Sequence, residues 1–451
     1  MATALIVLAA GMGTRMNSDL PKVMHEIAGV PLFAHALASG AALSPDRAVL
    51  VVGHGAEMVE AAAKDIDPEI SIAVQEEQLG TGHAVQQARA ALDGFDGDAI
   101  VLYGDTPFIR TETLEAMAAA RARGADVVVL GFETADPGRY GRLIVKDGAL
   151  DRIVEFKDAS DEERAVTLCN SGVVAADAKL LFDLLDGVGN DNAAGEYYLP
   201  DIVSVARARG LTASVVTCDE AETLGINSRA ELAAAEDVFQ TRARDAALEI
   251  GVTLIARDTV YFAHDTVIGR DTVIEPNVVF GPGVTVESGA LIRAFSHLEG
   301  CHVSRGAVVG PYARLRPGAE LANDAKVGNF VEIKNAQIEE GAKVNHLSYV
   351  GDARVGEHAN IGAGTITCNY DGVSKHHTDI GARTFIGSNT CLVAPVSVGD
   401  EAMTATGTVV TKNVPAGAMA VGRAKMEVKP GLAIKLFEKL KAAKARRQKG
   451  S

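Results

Sequence analysis

The sequence predicts an α/β unit with a mostly parallel sheet, followed by a helix and then a parallel β-helix. Three patterns predict it. Short apolar runs alternate with Ala-rich amphipathic stretches through the first half. Apolar residues recur at every sixth position through much of the second. One helical pattern with its own start and stop signals lies between them.

The α/β prediction rests on apolar runs at 4–8, 48–52, 70–74, 100–103 and 127–130, with helical stretches such as 83–92 and 111–123 between them. Apolar runs of that length alternating with helices give βαβ units, whose ligand sites lie at the carboxyl ends of the strands. The first unit is expected to span 1–227. Ser228 and Glu231 then read as a capping box. Leu232, Ala235, Phe239, Ala243, Ala246 and Ile250 recur at helical spacing, and Gly251 is placed to stop the helix. A linker helix is expected over 228–250.

Beyond it, Ile268, Ile274, Phe280, Val286 and Ile292 are six residues apart, as are Val309, Leu315, Leu321, Val327 and Ile333, and again Ile380, Ile386, Leu392 and Val398. This is the hexapeptide signature of a parallel β-helix, expected over 251–425, with each hexad forming one side of a triangular coil. A β-sandwich with accidental spacing is the alternative, and period-two strands do not sustain sixes. The repeat breaks between Ile361 and Ile380, where the polar insert 368–377 leaves the coil as a loop on one face. The basic stretch 426–451 is expected to be a solvated tail with a short amphipathic helix around Leu436, Phe437 and Leu440.

Composition narrows the function. The 451 residues are 47% hydrophobic and 23% charged, which gives globular cores and excludes a disordered chain. Tryptophan is absent, aromatics make up 5%, and the net charge is −16. Such a chain lacks stacking platforms and repels polyanions, so no nucleic-acid partner is expected. Small phosphates need only a few local cations. The five cysteines form no CxxC, which disfavours a disulfide framework or structural zinc and fits a reducing compartment. The apolar start, 4–10, is too short for a membrane span and lacks a basic leader. A cytoplasmic protein without a membrane partner is expected.

The first strand runs into Leu8-Ala9-Ala10-Gly11-Met12-Gly13-Thr14-Arg15-Met16. Glycines there let the backbone approach a ligand and turn its amides toward phosphate. Met16 replaces the third glycine of a dinucleotide fingerprint, and no Gly-Lys-Ser/Thr is present, which excludes a P-loop. Arg15 and Lys22 add two cations, suited to a triphosphate under attack. A glycine turn beside solvated cations is the bland alternative. Asp105 ends an apolar strand after Gly104, where an oxygen ligand for Mg²⁺ would sit. Asn227 reads equally as a helix-start residue. In the second half, His346 is the candidate general base. An isolated histidine is more often structural, but Arg316 and Lys334 are cations on nearby coils. Cys368 suggests a covalent acyl route, without any pattern marking an activated thiolate. Adjacent His376 and His377 point opposite ways in extended structure, so they do not suggest a shared metal.

The loop 8–16 with Leu20-Pro21-Lys22 resembles the signature of sugar-phosphate nucleotidylyltransferases. Gln75, Gln78-Leu79-Gly80-Thr81, Tyr103-Gly104-Asp105, Tyr140-Gly141-Arg142, Glu155-Phe156-Lys157 and Asn170-Ser171-Gly172 extend the match. Joined to hexapeptide repeats, residues 1–425 resemble the bacterial bifunctional family of N-acetylglucosamine-1-phosphate uridylyltransferase / glucosamine-1-phosphate N-acetyltransferase. The resemblance implies a Rossmann-like nucleotidyltransferase domain and a left-handed β-helix. It implies acetyl transfer from acetyl-CoA to glucosamine-1-phosphate, then uridylyl transfer from UTP to N-acetylglucosamine-1-phosphate, for peptidoglycan and lipopolysaccharide precursors. It places Leu8, Ala9, Ala10, Gly11, Lys22, Gln75, Gly80, Thr81, Tyr103, Gly104 and Asp105 at the nucleotide, with Arg15 and Lys22 catalytic. Gly141, Glu155 and Asn170 go to the sugar, and Asp105 with Asn227 to Mg²⁺. Arg316, Lys334, Tyr349, Asn360, Asn369 and Tyr370 go to glucosamine-1-phosphate, and Ala363, Ser388, Thr406 and Arg423 to acetyl-CoA. Thr406 stands where the family usually has alanine, so the expected contact there is to the backbone. A homotrimer with acetyl-transfer sites between chains is implied. The alternative is a single-activity nucleotidylyltransferase whose β-helix oligomerises or regulates.

Overall fold

The computed structural model describes residues 2–146 and 148–449. The chain divides into two compact units, one of 1–245 with 262–264, the other of 246–261 with 265–451.

The first unit is built on a nine-stranded sheet. Its main path runs Ala213–Cys218, Val127–Glu133, Leu168–Asp177, Asp98–Tyr103, Thr3–Ala9, Arg47–Val52, Ser71–Val74, and the hairpin Arg142–Lys146/Ala149–Val154 joins it at the side. Leu168–Asp177 is antiparallel to both neighbours, and the other neighbours on the path are parallel. In Thr3–Ala9, Ala4, Ile6 and Leu8 enter one core while Leu5, Val7 and Ala9 enter the other. A strand covered on both faces must be apolar throughout, which is why this segment reads as an unbroken run. Register pairs Leu8 with Tyr103 and Ala9 with Val52, so the strand ends lie side by side. The predicted helix over 83–92 is Thr81–Gln87 followed by a separate 3-10 turn, Ala90–Leu92.

The linker helix spans Arg229–Glu249. Ser228 Oγ accepts from the Glu231 amide at 3.3 Å, but the Glu231 carboxylate accepts from Asn227 N–H at 2.6 Å, one residue earlier than a capping box requires. The inward face also departs from the apolar pattern. Ala246 and Ile250 are exposed, while Gln240 and Arg244 are buried. Gln240 is held there because its amide bonds both backbone groups of Phe262, at 2.7 and 2.8 Å. Gly251 ends the helix at φ 89°.

The second unit is a parallel β-helix. Val273, Leu291, Val308, Lys326, Lys343, Asn360, Phe385, Met403 and Met419 each begin a strand of one ten-stranded sheet. A fourteen-stranded assembly forms the other faces. All the predicted hexad residues, from Ile268 to Val398, are buried. The repeat runs on past Ile361 to Thr367, which is 1% exposed. Its hydroxyl is satisfied by the Gly351 N–H at 2.8 Å and the Gly351 carbonyl at 3.0 Å, which lets a polar residue take an inward position an apolar scan passes over. The insert then leaves the coil, with Tyr370 bridging Lys375, and the prism resumes at Thr378–Ile380. The tail helix is not short: it spans Leu432–Lys449, with Leu436, Phe437 and Leu440 exposed. Among the described residues no helix is long and apolar enough to cross a membrane.

Ile333 is fully buried in the prism. Ile333→Ala should cost about 2–5 kcal/mol, read as a lower denaturation midpoint of the β-helix.

Candidate active sites

In the first unit, a cleft of about 270 Å³ opens at the carboxyl end of the sheet. Leu8, Ala10, Gly11, Lys22, Gln75, Gly80, Thr81, Tyr103 and Asp105 line it. The side chain of Ala9 packs into the opposite core, so only its backbone remains for the cleft. Gly104 joins the strand ends through its N–H to the Leu8 carbonyl, at 2.9 Å. Gly13 has φ 61°, and a Cβ there would lie 2.5 Å from the Cβ of Lys22. Glycine at that position is what lets Lys22 run past the loop. Tyr103 is half-buried and hydrogen-bonded to Thr81, and desolvation of its hydroxyl pushes it above the ordinary range.

Lys22 Nζ contacts Asp105 Oδ2 and lies 3.1 Å from Asn227 Oδ1. Asn227 comes from far along the chain, and the Ile226 N–H donates to the Asp105 carbonyl at 3.0 Å to bring it there. A carboxylate and an amide oxygen thus converge on one cation. This donor set fits a hard divalent ion, which takes few protein oxygens and completes its shell with water and phosphate. Among the described residues no three His, Cys, Asp or Glu side chains form a metal cage. Arg15 lines a second recess, of about 520 Å³, with Arg139, Tyr140 and Asn227.

Glu155 lines another recess, of about 370 Å³, with Arg139, Phe156, Lys157 and Tyr198. A Cβ on Gly141 would lie 3.0 Å from Glu155 Oε1, so the glycine lets the carboxylate approach the backbone. Asn170 N–H donates to the Gly141 carbonyl at 2.9 Å, which groups Gly141, Glu155 and Asn170. Buried Arg142 holds the turn by donating to the carbonyls of Gly138, Tyr140 and Arg164. Burial, with Asp201 and Asp158 nearby, pushes the Glu155 carboxyl above its usual range, against the pull of Arg142.

On the β-helix, His346 ends the strand Lys343–His346 and pairs in register with Asn329. Its Nδ1 lies 2.9 Å from Asn329 Oδ1, which only accepts. With Asn329 Oδ1 accepting, the ring proton sits on Nδ1 and the Nε2 lone pair is left free. Ladder bonds continue this position coil by coil: Gly364 N–H to His346 O at 3.3 Å, Asn389 N–H to Ala363 O at 2.7 Å, Gly407 N–H to Ser388 O at 2.8 Å. His346, Ala363, Ser388 and Thr406 thus form one column, and Arg423 Nη1 donates to the Thr406 carbonyl at 2.9 Å. That bond uses only the Thr406 backbone.

A polar cluster stands across the adjacent face. Arg316 pairs with Glu332 at 2.8 Å, and Glu332 is in register with Tyr349. Asp352 accepts from Asn335 at 2.7 Å and from Asn369, and Asn369 also reaches the Tyr349 hydroxyl at 3.4 Å. Burial pushes Asp352 up, but those amide bonds with Lys375 and Lys334 nearby hold it below its usual range. Lys375 lies 5.4 Å from the centre of the Tyr370 ring. Asn360 is not in this cluster, since its strand belongs to the sheet that carries His346. Burial, with Cys391 beside it, raises the Cys368 thiol, which opposes thiolate activation.

Three families match in part: MobA-like NTP transferase domain over 5–170, bacterial transferase hexapeptide (six repeats) over 265–300, and hexapeptide repeat of succinyl-transferase over 378–412. "Bifunctional protein GlmU" of Ruegeria sp. (strain TM1040) is 70% identical over 450 residues, 100% of each chain. The protein of that name from Roseobacter denitrificans is 67% identical over 451 residues, again 100% of each, and that from Jannaschia sp. (strain CCS1) 66% over 446, covering 99% of this chain and 98% of its own. The chain belongs to the GlmU family. It is a bifunctional transferase with uridylyltransferase and N-acetyltransferase activities, and a single-activity reading is not favoured.

Several GlmU residues at these sites escaped the sequence reading. Asn329 and Asp352 carry no motif and matter only through coil stacking. Arg139, bordering two recesses, immediately precedes the Tyr140-Gly141-Arg142 motif. Lys375 lies in the polar insert, where its charge was a legible signal.

Asn329→Leu should lower the acetyl-transfer rate on the order of tenfold and shift its pH profile, with uridylyl transfer unchanged. Because the folded state binds the Glu155 proton more tightly than the unfolded chain, ionisation of Glu155 subtracts stability as pH rises through that window. Glu155→Gln should therefore raise the first unit's melting temperature at pH 8 relative to wild type, a gap that calorimetry finds closing at pH 4, while sugar-phosphate affinity falls.

Proposed function

We propose that the GlmU-type activities are divided between the two units as follows, with Mg²⁺ as the metal. Lys22 and Arg15 neutralise the triphosphate of UTP while Gln75, Gly80 and Thr81 hold the base and ribose. Gly141, Glu155 and Asn170 place N-acetylglucosamine-1-phosphate so that its phosphate oxygen attacks the α-phosphorus in line and pyrophosphate leaves. Asp105 and Asn227 hold Mg²⁺, which supplies further charge neutralisation. Positioning and charge carry such a step, and no general base is assigned.

On the β-helix, acetyl-CoA lies along the Ala363–Ser388–Thr406 column with Arg423. Arg316, Lys334, Tyr349, Asn369 and Tyr370 hold glucosamine-1-phosphate, joined by Asn360. His346 Nε2 removes a proton from the sugar's amino group, which attacks the thioester carbonyl directly, and the thiol of coenzyme A leaves. The observation that carries the reading is the convergence of Lys22, Asp105 and Asn227 in a chain that also holds the His346 column.

A homotrimer is part of the proposal. Supporting it, Phe295, Tyr312, Phe330 and Leu347 stand on successive coils at positive φ and remain about half exposed or more. The rings of Phe295, Tyr312 and Phe330 stack at 4.9 and 5.3 Å beside the face bearing Glu332 and Tyr349. Bulky side chains rarely hold that backbone conformation without a reason. The cytoplasm is the proposed location, supported by five free cysteines.

One assay with glucosamine-1-phosphate, acetyl-CoA, UTP and Mg²⁺, reading free thiol and pyrophosphate separately, tests the division. His346→Ala should abolish thiol release and, with N-acetylglucosamine-1-phosphate supplied, spare pyrophosphate release; Asp105→Ala should do the reverse. Loss of both activities in a folded single variant would contradict separate sites.

A further inference from the structure

The nucleotide cleft adjoins a histidine that the proposed chemistry leaves without a role. His83 lies on the helix Thr81–Gln87, directly behind Gln75. Gln75 is 4% exposed, and its Nε2 lies 3.1 Å from the Gly80 carbonyl and 3.0 Å from His83 Nδ1. A carbonyl oxygen only accepts, so the Gln75 atom facing Gly80 is its NH₂ group. The second hydrogen of that group meets His83 Nδ1, which must then accept, leaving the ring proton on Nε2.

On the other side of the ring, the Gln87 amide nitrogen lies 3.2 Å from His83 Nε2 and 3.0 Å from the His83 carbonyl. One imidazole cannot accept at both nitrogens. Gln75 is enclosed, where an unmet hydrogen is costly. Gln87 is partly exposed, where water replaces a lost bond. The Gln75 bond therefore sets the tautomer.

Both hydrogens of the Gln75 amide are thus used within the protein, and Oε1, a pure acceptor, is what remains for a ligand. Uracil presents a donor at N3, and cytosine presents a bare acceptor there. We infer that His83 is a specificity-determining positioning residue: by accepting from Gln75 it turns Gln75 Oε1 toward the N3–H of uracil and against N3 of cytosine. This rests on the reading of Gln75 as the contact to the base.

The test is uridylyl transfer with N-acetylglucosamine-1-phosphate, comparing UTP and CTP. His83→Leu removes the acceptor and should lower the UTP/CTP ratio of kcat/KM roughly tenfold or more, through KM for UTP, as expected when a hydrogen-bonding pocket loses its orientation. His83→Asn, whose Oδ1 takes the place of Nδ1, should restore most of the ratio. Acetyl transfer should not change in either. A ratio within about twofold of wild type in a folded His83→Leu protein, or an Asn variant no better than Leu, overturns the inference. Nitrogen-15 shifts of wild-type His83 with UTP bound give a readout independent of mutant folding: the Nε2–H tautomer is expected, and the Nδ1–H tautomer overturns it. Wild-type protein that releases no pyrophosphate from UTP would instead overturn the underlying uridylyl reading.

Discussion

Parallel strand pairing is the constraint from which both candidate sites follow. In a parallel sheet every strand delivers its carboxyl end to the same edge, so chemistry placed there gathers without local sequence proximity. That is how Leu8 comes beside Tyr103, with Gly104 bonded back to Leu8. In the β-helix, parallel pairing coil upon coil stacks equivalent positions instead. Asn329, His346, Ala363, Ser388 and Thr406 become neighbours because each ends the same side of its own turn.

The two sites solve different electrostatic problems. The chain as a whole carries −16, yet in the proposed reading the cleft of the first unit receives a polyanion. Lys22 supplies local positive charge, partly withdrawn from solvent, where its field is screened less than on an open surface. Its contacts with Asp105 and Asn227 keep that charge balanced within the protein alone. In the proposed reading the β-helix site needs a proton acceptor, and a single side-chain bond, His346 Nδ1 to Asn329 Oδ1 on the coil before it, leaves Nε2 for that role.

The prism also shows how an irregular segment is held on a regular one. The insert is fastened by Asp352, which takes the Asn369 amide on one side and Asn335 on the other. Within the loop, Asp371 accepts from the Val373 and Ser374 amides and from His376, and those bonds keep its carboxyl well below the usual range. His376 is thus partnered within the loop by Asp371.

Periodicity made the architecture legible: the sixfold recurrence from Ile268 to Val398 and the alternation in the first half both report which side chains must leave water. Short motifs singled out the Gly11–Lys22 loop and Asp105, which the structure brings to one cleft. The sequence by itself could not place Gln240 inward, since a buried amide depends on Phe262 supplying both of its partners. It could not find Thr367 in the repeat, Asn329 beside His346, or Asp352 beside Asn369. Those assignments depend on hydrogen bonds between residues distant in the chain, and only the tertiary structure decides which donor meets which acceptor.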